Sequence, residues 1–421
     1  MMNRRIWKLG WLTTLLLGLG ALVATPAEAV VDGVTGTTFN ITTSKAYIPT
    51  PDGGSLLVWG YGIDGGLPQY PGPTLIVNEG DTVTINLTNN NIPEPVSMVF
   101  PGQSGVTASG GGAGLLTQES TDNTQTVTYS FVAGRPGTFM YYSGTHTDLQ
   151  TEMGLLGAIV VRPSAGANQA YNHPDTAFDH EYLFVLTEMD PDIHYLVDDG
   201  LMDQVDTTVY HPVLWFINGR NGPDTLARAY DPYMPYQPYN IVPRIHPGET
   251  MLMRMVGAGR DGHPFHTHGN NFWQIAQDGH LLESAPGTGP DLAVSDYTLN
   301  VVPGSTYDML FTWTGEQLGW DIYGHAASDP LAPNEYAPDH GKPIPVVLPE
   351  NQNLTFGGFY SGSPFLGAFG TLPPGEGGLN LNGGLFFMWH SHNERELVNN
   401  DIFPGGMMTM LIIEPPGAPI E

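Results

Sequence analysis

Among its 421 residues the chain has no cysteine. That absence excludes disulfides, thiol nucleophiles, iron–sulfur clusters, Cys-bound structural zinc and blue-copper thiolate centres. Basic residues are scarce too: 13 Lys and Arg stand against 42 Asp and Glu, a formal net charge of −29. Such a surface repels phosphate, which argues against nucleic acid as a partner, and it favours cations. Long apolar runs are missing except near the start. There Arg4, Arg5 and Lys8 precede an apolar run over residues 9–24, too short for a comfortable membrane span, and Ala27-Glu28-Ala29 follows with a small-x-small cleavage pattern. Residues 1–29 therefore read as a secretory signal peptide. The expected location is secreted, periplasmic or extracellular, with no membrane span after cleavage.

What is present points to strands. Residues 82–87 (TVTINL), 126–131 (TVTYSF), 158–161, 182–186 and 407–413 are short and rich in β-branched or large apolar side chains, with turn residues between them. No long amphipathic helix is apparent in the pattern. The fold class is all-β, of sandwiches or Greek-key barrels. The chain also repeats itself. Residues 78–83 (NEGDTV) parallel 246–251 (HPGETM), and 139–144 (FMYYSG) parallel 387–392 (FMWHSH), each of the latter followed by a Gly-containing turn and an apolar strand. This predicts two copies of one β-domain, over 30–163 and 179–421, joined by a linker at 164–178. A Pro- and Gly-rich excursion at about 326–385 reads as an insertion in the second copy.

The strongest chemical signal is His263-Pro264-Phe265-His266-Thr267-His268-Gly269, joined later by Trp389-His390-Ser391-His392. In a strand, residues i and i+2 point the same way about 7 Å apart, so each His-x-His presents two imidazoles to one side. Two such strands side by side make a four-nitrogen nest, and thiolate-free imidazole suits Cu(II), Zn, Fe or Ni.

These motifs resemble the multicopper oxidase family, built of cupredoxin-like domains. The resemblance also covers Pro71-Gly72-Pro73-Thr74-Leu75 with Glu79-Gly80-Asp81, and Gly137-Thr138-Phe139-Met140-Tyr141. It implies two cupredoxin-like domains and copper as the cofactor. It further implies that His263 matches a blue-copper ligand, while His266, His268, His390 and His392 match ligands of the copper cluster. Ser391, however, stands where the family has its blue-copper cysteine, and Glu396 where a further histidine is expected. The first domain reads Val96-Ser97-Met98-Val99 where the family has a histidine motif, and Tyr142-Ser143-Gly144 at the second, with only His146 close by. One or two copper ions are therefore expected rather than a full four-copper set, with Glu394 or Glu396 as assisting carboxylates or proton carriers. Because such clusters lie between first and last domains, or between subunits of a ring, the resemblance admits a homotrimer.

Other candidates have plainer readings. Asp190, Asp192, Asp198 and Asp199 read as a solvated acidic loop before a calcium site. Met407, Met408 and Met410 read as core of the last strand, and His280 and His325 as lone structural histidines. Two functions compete. One is an exported copper-dependent oxidoreductase that draws electrons from a small-molecule or metal-ion donor without a blue-copper relay. The alternative is a non-catalytic metal-binding or assembly protein on the same scaffold.

Overall fold

The computed structural model describes residues 31–414 except 317, 322, 334, 344–361 and 365–384, together with 418–420; Gly362–Pro364 is described as strand backbone alone. The signal-peptide segment and most of the insertion at 326–385 lie outside the described residues. Among the described residues two pairs of large sheets make up the fold, beside a two-stranded ribbon of Gly112–Ala113 and Gln118–Glu119. In the first unit a sheet of Ser55–Ile63, Thr38–Pro49, Thr82–Asn89, Thr126–Val132 and Ser104–Ser109 faces one of Val34–Thr35, Leu75–Asn78, Leu156–Arg162 and Gly137–Tyr142. In the second, one sheet runs Leu214–Ile217, His180–Met189, Thr250–Gly257, Thr306–Thr312, Phe272–Gln277 and His280–Leu281. Its partner runs Arg244–Ile245, Met408–Ile413, Leu385–Ser391, His263–Thr267 and Thr298–Val301.

The internal repeat is visible in the pairing. Thr38–Pro49 lies parallel to Thr82–Asn89, as His180–Met189 lies parallel to Thr250–Gly257. Likewise Gly137–Tyr142 pairs antiparallel with Leu156–Arg162, as Leu385–Ser391 does with Met408–Ile413. Helices are short: Thr147–Glu152 and Pro191–Asp198. Within the acidic run around the latter, Asp190 is buried as the helix cap, its side chain accepting from the Asp192 and His211 amides, while Asp192, Asp198 and Asp199 are exposed as a solvated stretch.

Strands at the junction are apolar on both faces because both are covered. Ile159 and Val161 face the first unit's core with Leu75 and Val77, while Ala158 and Val160 pack with Leu183, Val185 and Val256 of the second unit. A buried polar network closes the same junction. Arg254 donates to Glu181 (2.8 Å) and lies 3.4 Å from Asp308, which accepts from the Thr138 and Tyr171 hydroxyls at 2.5 and 2.6 Å. Tyr171 belongs to the segment 164–178, which composition reads as a linker; its ring is buried and its hydroxyl ties the segment to the second unit.

Val160→Ala removes two buried methyl groups from this shared core and is expected to lower stability by about 2 kcal/mol. Urea unfolding followed by tryptophan fluorescence and by circular dichroism should shift by the same amount, because the side chain couples both units.

Candidate metal centre

The site is built on two neighbouring strands of the second unit. His263–Thr267 pairs antiparallel with Leu385–Ser391, matching Phe265 to Ser391, His266 to His390 and Thr267 to Trp389. The pairing continues where the His392 amide donates to the Pro264 carbonyl at 2.7 Å. Strand alternation then sorts the side chains. Phe265, Thr267, Trp389 and Ser391 turn inward and are buried, Phe265 against Phe184 and Trp389 against Phe311 at 5.5 and 5.0 Å between ring centres. His266, His268, His390 and His392 turn outward. The Trp389 indole donates to the His268 carbonyl at 2.9 Å, which anchors the outward face to the packed one. Directly after His268 the chain turns at Gly269, whose φ of +101° lies in the left-handed region and whose Cβ position would fall 3.2 Å from the Phe387 ring.

The four outward imidazoles form one cluster. His266 lies 4.7 Å from His268, 5.6 Å from His390 and 4.9 Å from His392 between ring centres, and His268 lies 5.3 Å from His390. The Nε2 atoms of His268 and His390 approach to 3.2 Å. His390 donates from Nδ1 to the Ser391 carbonyl at 2.6 Å, which leaves Nε2 with its lone pair, and His266 Nδ1 meets the Thr298 hydroxyl at 2.6 Å. Burial, then the neighbouring His268, His390 and His392, push the His266 pKa down to about 4; burial also lowers that of His390. Both are neutral donors at neutral pH.

A set of four imidazoles, with the His266 and His390 rings held by hydrogen bonds at Nδ1, fits copper or a similar borderline ion. The cluster is wider than a single-ion cage. Among the described residues, the group of His, Asp and Glu ligand atoms lying within 4.8 Å of one another is Asp321, His325, Glu335 and His340, not the quartet. The cleft of about 850 Å³ between the units, lined by Arg228, Tyr230, Tyr239 and Arg244, does not include the quartet, which instead opens on the outer sheet face.

His263 stands apart from these four. Three residues before His266, it has the opposite strand parity and points inward, where it is fully buried. Its Nε2 meets Glu188 and its Nδ1 meets Glu396, both at 2.9 Å. Burial alone would lower its pKa, but the hydrogen bonds and charges of the two carboxylates outweigh that and push it up to about 9. The imidazolium therefore has no lone pair to give. With Ser391 buried nearby and accepting the Asn393 amide at 3.2 Å, the residues at the blue-copper position do not fit a mononuclear copper.

Glu396, read from the sequence as a proton carrier or assisting ligand, is instead buried and committed to His263 and to the Asn393 side-chain amide at 2.9 Å. Glu394 is exposed. His146 sits in the first unit with a left-handed φ of 41°, its nitrogens facing Glu94 at 3.1 Å and Asp148 at 3.9 Å. The first-unit stretch equivalent to the histidine strand bridges Val99 to Tyr142 and buries Val96 and Met98, so it brings no imidazole. Met407 is core, whereas Met408 and Met410 share the half-buried face of Met408–Ile413, because Thr409, Leu411 and Ile413 take the inner one.

Sequence reasoning missed Glu188 and misread His325. A carboxylate inside the apolar run 182–189 (YLFVLTEM) is the signal for the first, since a buried charge requires a partner. His325 is not alone: its Nδ1 lies 3.2 Å from Asp321 and 3.3 Å from Glu335.

A multicopper oxidase family model matches residues 57–166. L-ascorbate oxidase of Cucurbita pepo var. melopepo is 30% identical over 173 residues, 40% of this chain and 29% of that enzyme. An iron transport multicopper oxidase of Epichloe festucae (strain E2368) is 28% identical over 246 residues, 58% of this chain and 34% of the other. These curated matches thus take in about a third of the relatives' own length. Among solved structures, the multicopper oxidase mgLAC superposes with a TM-score of 0.55 at 18% identity, covering 93% of this chain and 88% of that one. The blue copper oxidase from Nitrosomonas europaea gives 0.54 at 20% identity, covering 92% and 86%. The structural likeness establishes two cupredoxin-like sandwich domains.

Proposed function

Since the chain belongs to the multicopper oxidase family, we propose that it is an exported oxidoreductase whose His266, His268, His390 and His392 hold one or two copper ions. The observation that carries this reading is the gathering of four outward imidazoles on two paired strands. Bound copper supplies one-electron redox chemistry. The chain's own residues do the rest. Thr298 and the Ser391 carbonyl orient the His266 and His390 rings. His392 is exposed, so a small-molecule or metal-ion donor meets the site directly, and the acidic surface draws cationic donors toward it. Glu394, exposed two residues from His392, is the carboxylate available to hold a proton there.

Export rests on residues 1–29, and the domain limits 30–163 and 179–421 follow the repeat. Because the quartet faces outward, a second copy could approach it through its first domain, which keeps a homotrimeric ring as the proposed assembly. No helix among the described residues is long and apolar enough to cross a membrane.

Loading the full chain with copper tests the reading. The expected product retains copper through dialysis, lacks an intense thiolate charge-transfer band, and oxidises ascorbate, a phenol or Fe(II). A chain that retains no copper overturns it. Copper retention without turnover of any donor supports the second reading, a metal-binding protein without catalysis. That reading is favoured by one specific observation, the carboxylate-clamped His263 where an electron relay would sit.

A further inference from the structure

Outside the histidine quartet, a second group of donors gathers where the segment 326–385 leaves the second domain. We propose that Asp321, His325, Glu335 and His340 form a separate site for a zinc-like divalent ion. Their ligand atoms all lie within 4.8 Å of one another. His325 Nδ1 is 3.2 Å from Asp321 and 3.3 Å from Glu335; His340 Nδ1 is 2.7 Å from Glu335 and 3.8 Å from Asp321. Two imidazole nitrogens and two carboxylate oxygens are a tetrahedral set for a borderline metal, with no thiolate required.

The surroundings are those of a built site. Asp321 accepts the Tyr323 and Gly341 amides at 2.8 and 2.9 Å, and Glu335 accepts the Ala332 amide at 2.7 Å, so both carboxylates are aimed. His340 donates from Nε2 to the Asp329 carbonyl at 2.9 Å, which turns Nδ1 toward the cluster, the arrangement that metal-bound histidines adopt. The side chains of Asp321 and Glu335 are 0% and 4% exposed, and among the described residues their ion-pair partners are these two histidines, without Lys or Arg. Two buried carboxylates side by side call for a cation between them.

A second, independent observation points the same way. Tyr323 is 8% exposed, packs its ring 5.5 Å from that of His325, and has a hydroxyl with no hydrogen-bond partner among the described residues. After burial, the charges of Glu335 and Asp321 act most strongly on that hydroxyl, which places it beside the cluster. It is a buried polar atom left for a ligand or its bound water to satisfy.

The experiment titrates Zn(II) into the metal-stripped full chain carrying His266→Ala and His390→Ala, so that the quartet contributes nothing. One equivalent is expected to bind. Adding His325→Ala with His340→Ala is expected to abolish it, and the conservative Glu335→Gln to weaken it by about 10-fold or more. Circular dichroism confirms that each variant is folded. Absence of zinc binding in the quartet-disabled chain, or the same single equivalent with unchanged affinity in folded Glu335→Gln and in the His325/His340 variant, would overturn the proposal. Neither outcome depends on whether the quartet binds copper.

Discussion

Replacing His266 and His390 together by alanine should weaken copper binding by at least about 100-fold, with the fold unchanged. The two residues face each other across paired strands and contribute one imidazole from each. Removing both leaves His268 and His392, each two residues further along its chain segment, without a ring between them: His266 and His390 are the rings placed within 6 Å of all three others. The packing that holds the strands together lies on the opposite face, in Phe265, Thr267, Trp389 and Ser391. The loss should therefore be seen in metal retention and electron paramagnetic resonance, and not in the unfolding midpoint of the metal-free chain. A metal-free midpoint that falls steeply in this variant, with copper retained, would mean the rings serve packing and not binding.

The clamp around His263 should produce the largest effect on stability. Glu396→Ala leaves a buried imidazolium with one carboxylate partner, and breaking a buried ion pair from one side costs about 3–5 kcal/mol. The same clamp makes stability depend on pH. The folded pKa of about 9 lies above the ordinary 6.5, so the folded state binds the proton more tightly. The contribution is present in full below about pH 6.5 and is lost as pH rises through 9, amounting to about 3 kcal/mol over that window. Urea unfolding at pH 6 and at pH 9.5 should show this loss in the natural chain and a flatter profile in His263→Gln. Parallel losses in both proteins would place the pH dependence elsewhere.

These two expectations show where the sequence was legible. Residue parity alone separates His263 from His266 and His268, and Ser391 from His390 and His392, because strands alternate with a period of two. What parity does not reveal is the partner on the inward side. Glu188 lies 75 residues before His263 in the chain and Glu396 133 residues after it, and only sheet packing brings them to its two nitrogens. Glu396 shows the cost of reading position without depth: in sequence it neighbours His392, yet it is buried on the opposite side of the sheet from the outward rings. The reading of His325 as lone failed for a similar reason, since Glu335 and His340 return to it through a loop whose path no periodicity encodes.

By itself the sequence determined the all-β class, the twofold repeat, the absence of any thiolate chemistry and the identity of the four outward imidazoles, because composition and strand alternation are local properties. Tertiary structure alone decided that the two histidine pairs converge on neighbouring strands and that His263 is locked to carboxylates. It also decided that the junction strands are buried on both sides and that a second donor cluster forms beside the insertion. Those outcomes depend on contacts between residues far apart in the chain, and burial and charge act on each group only after folding has chosen its neighbours.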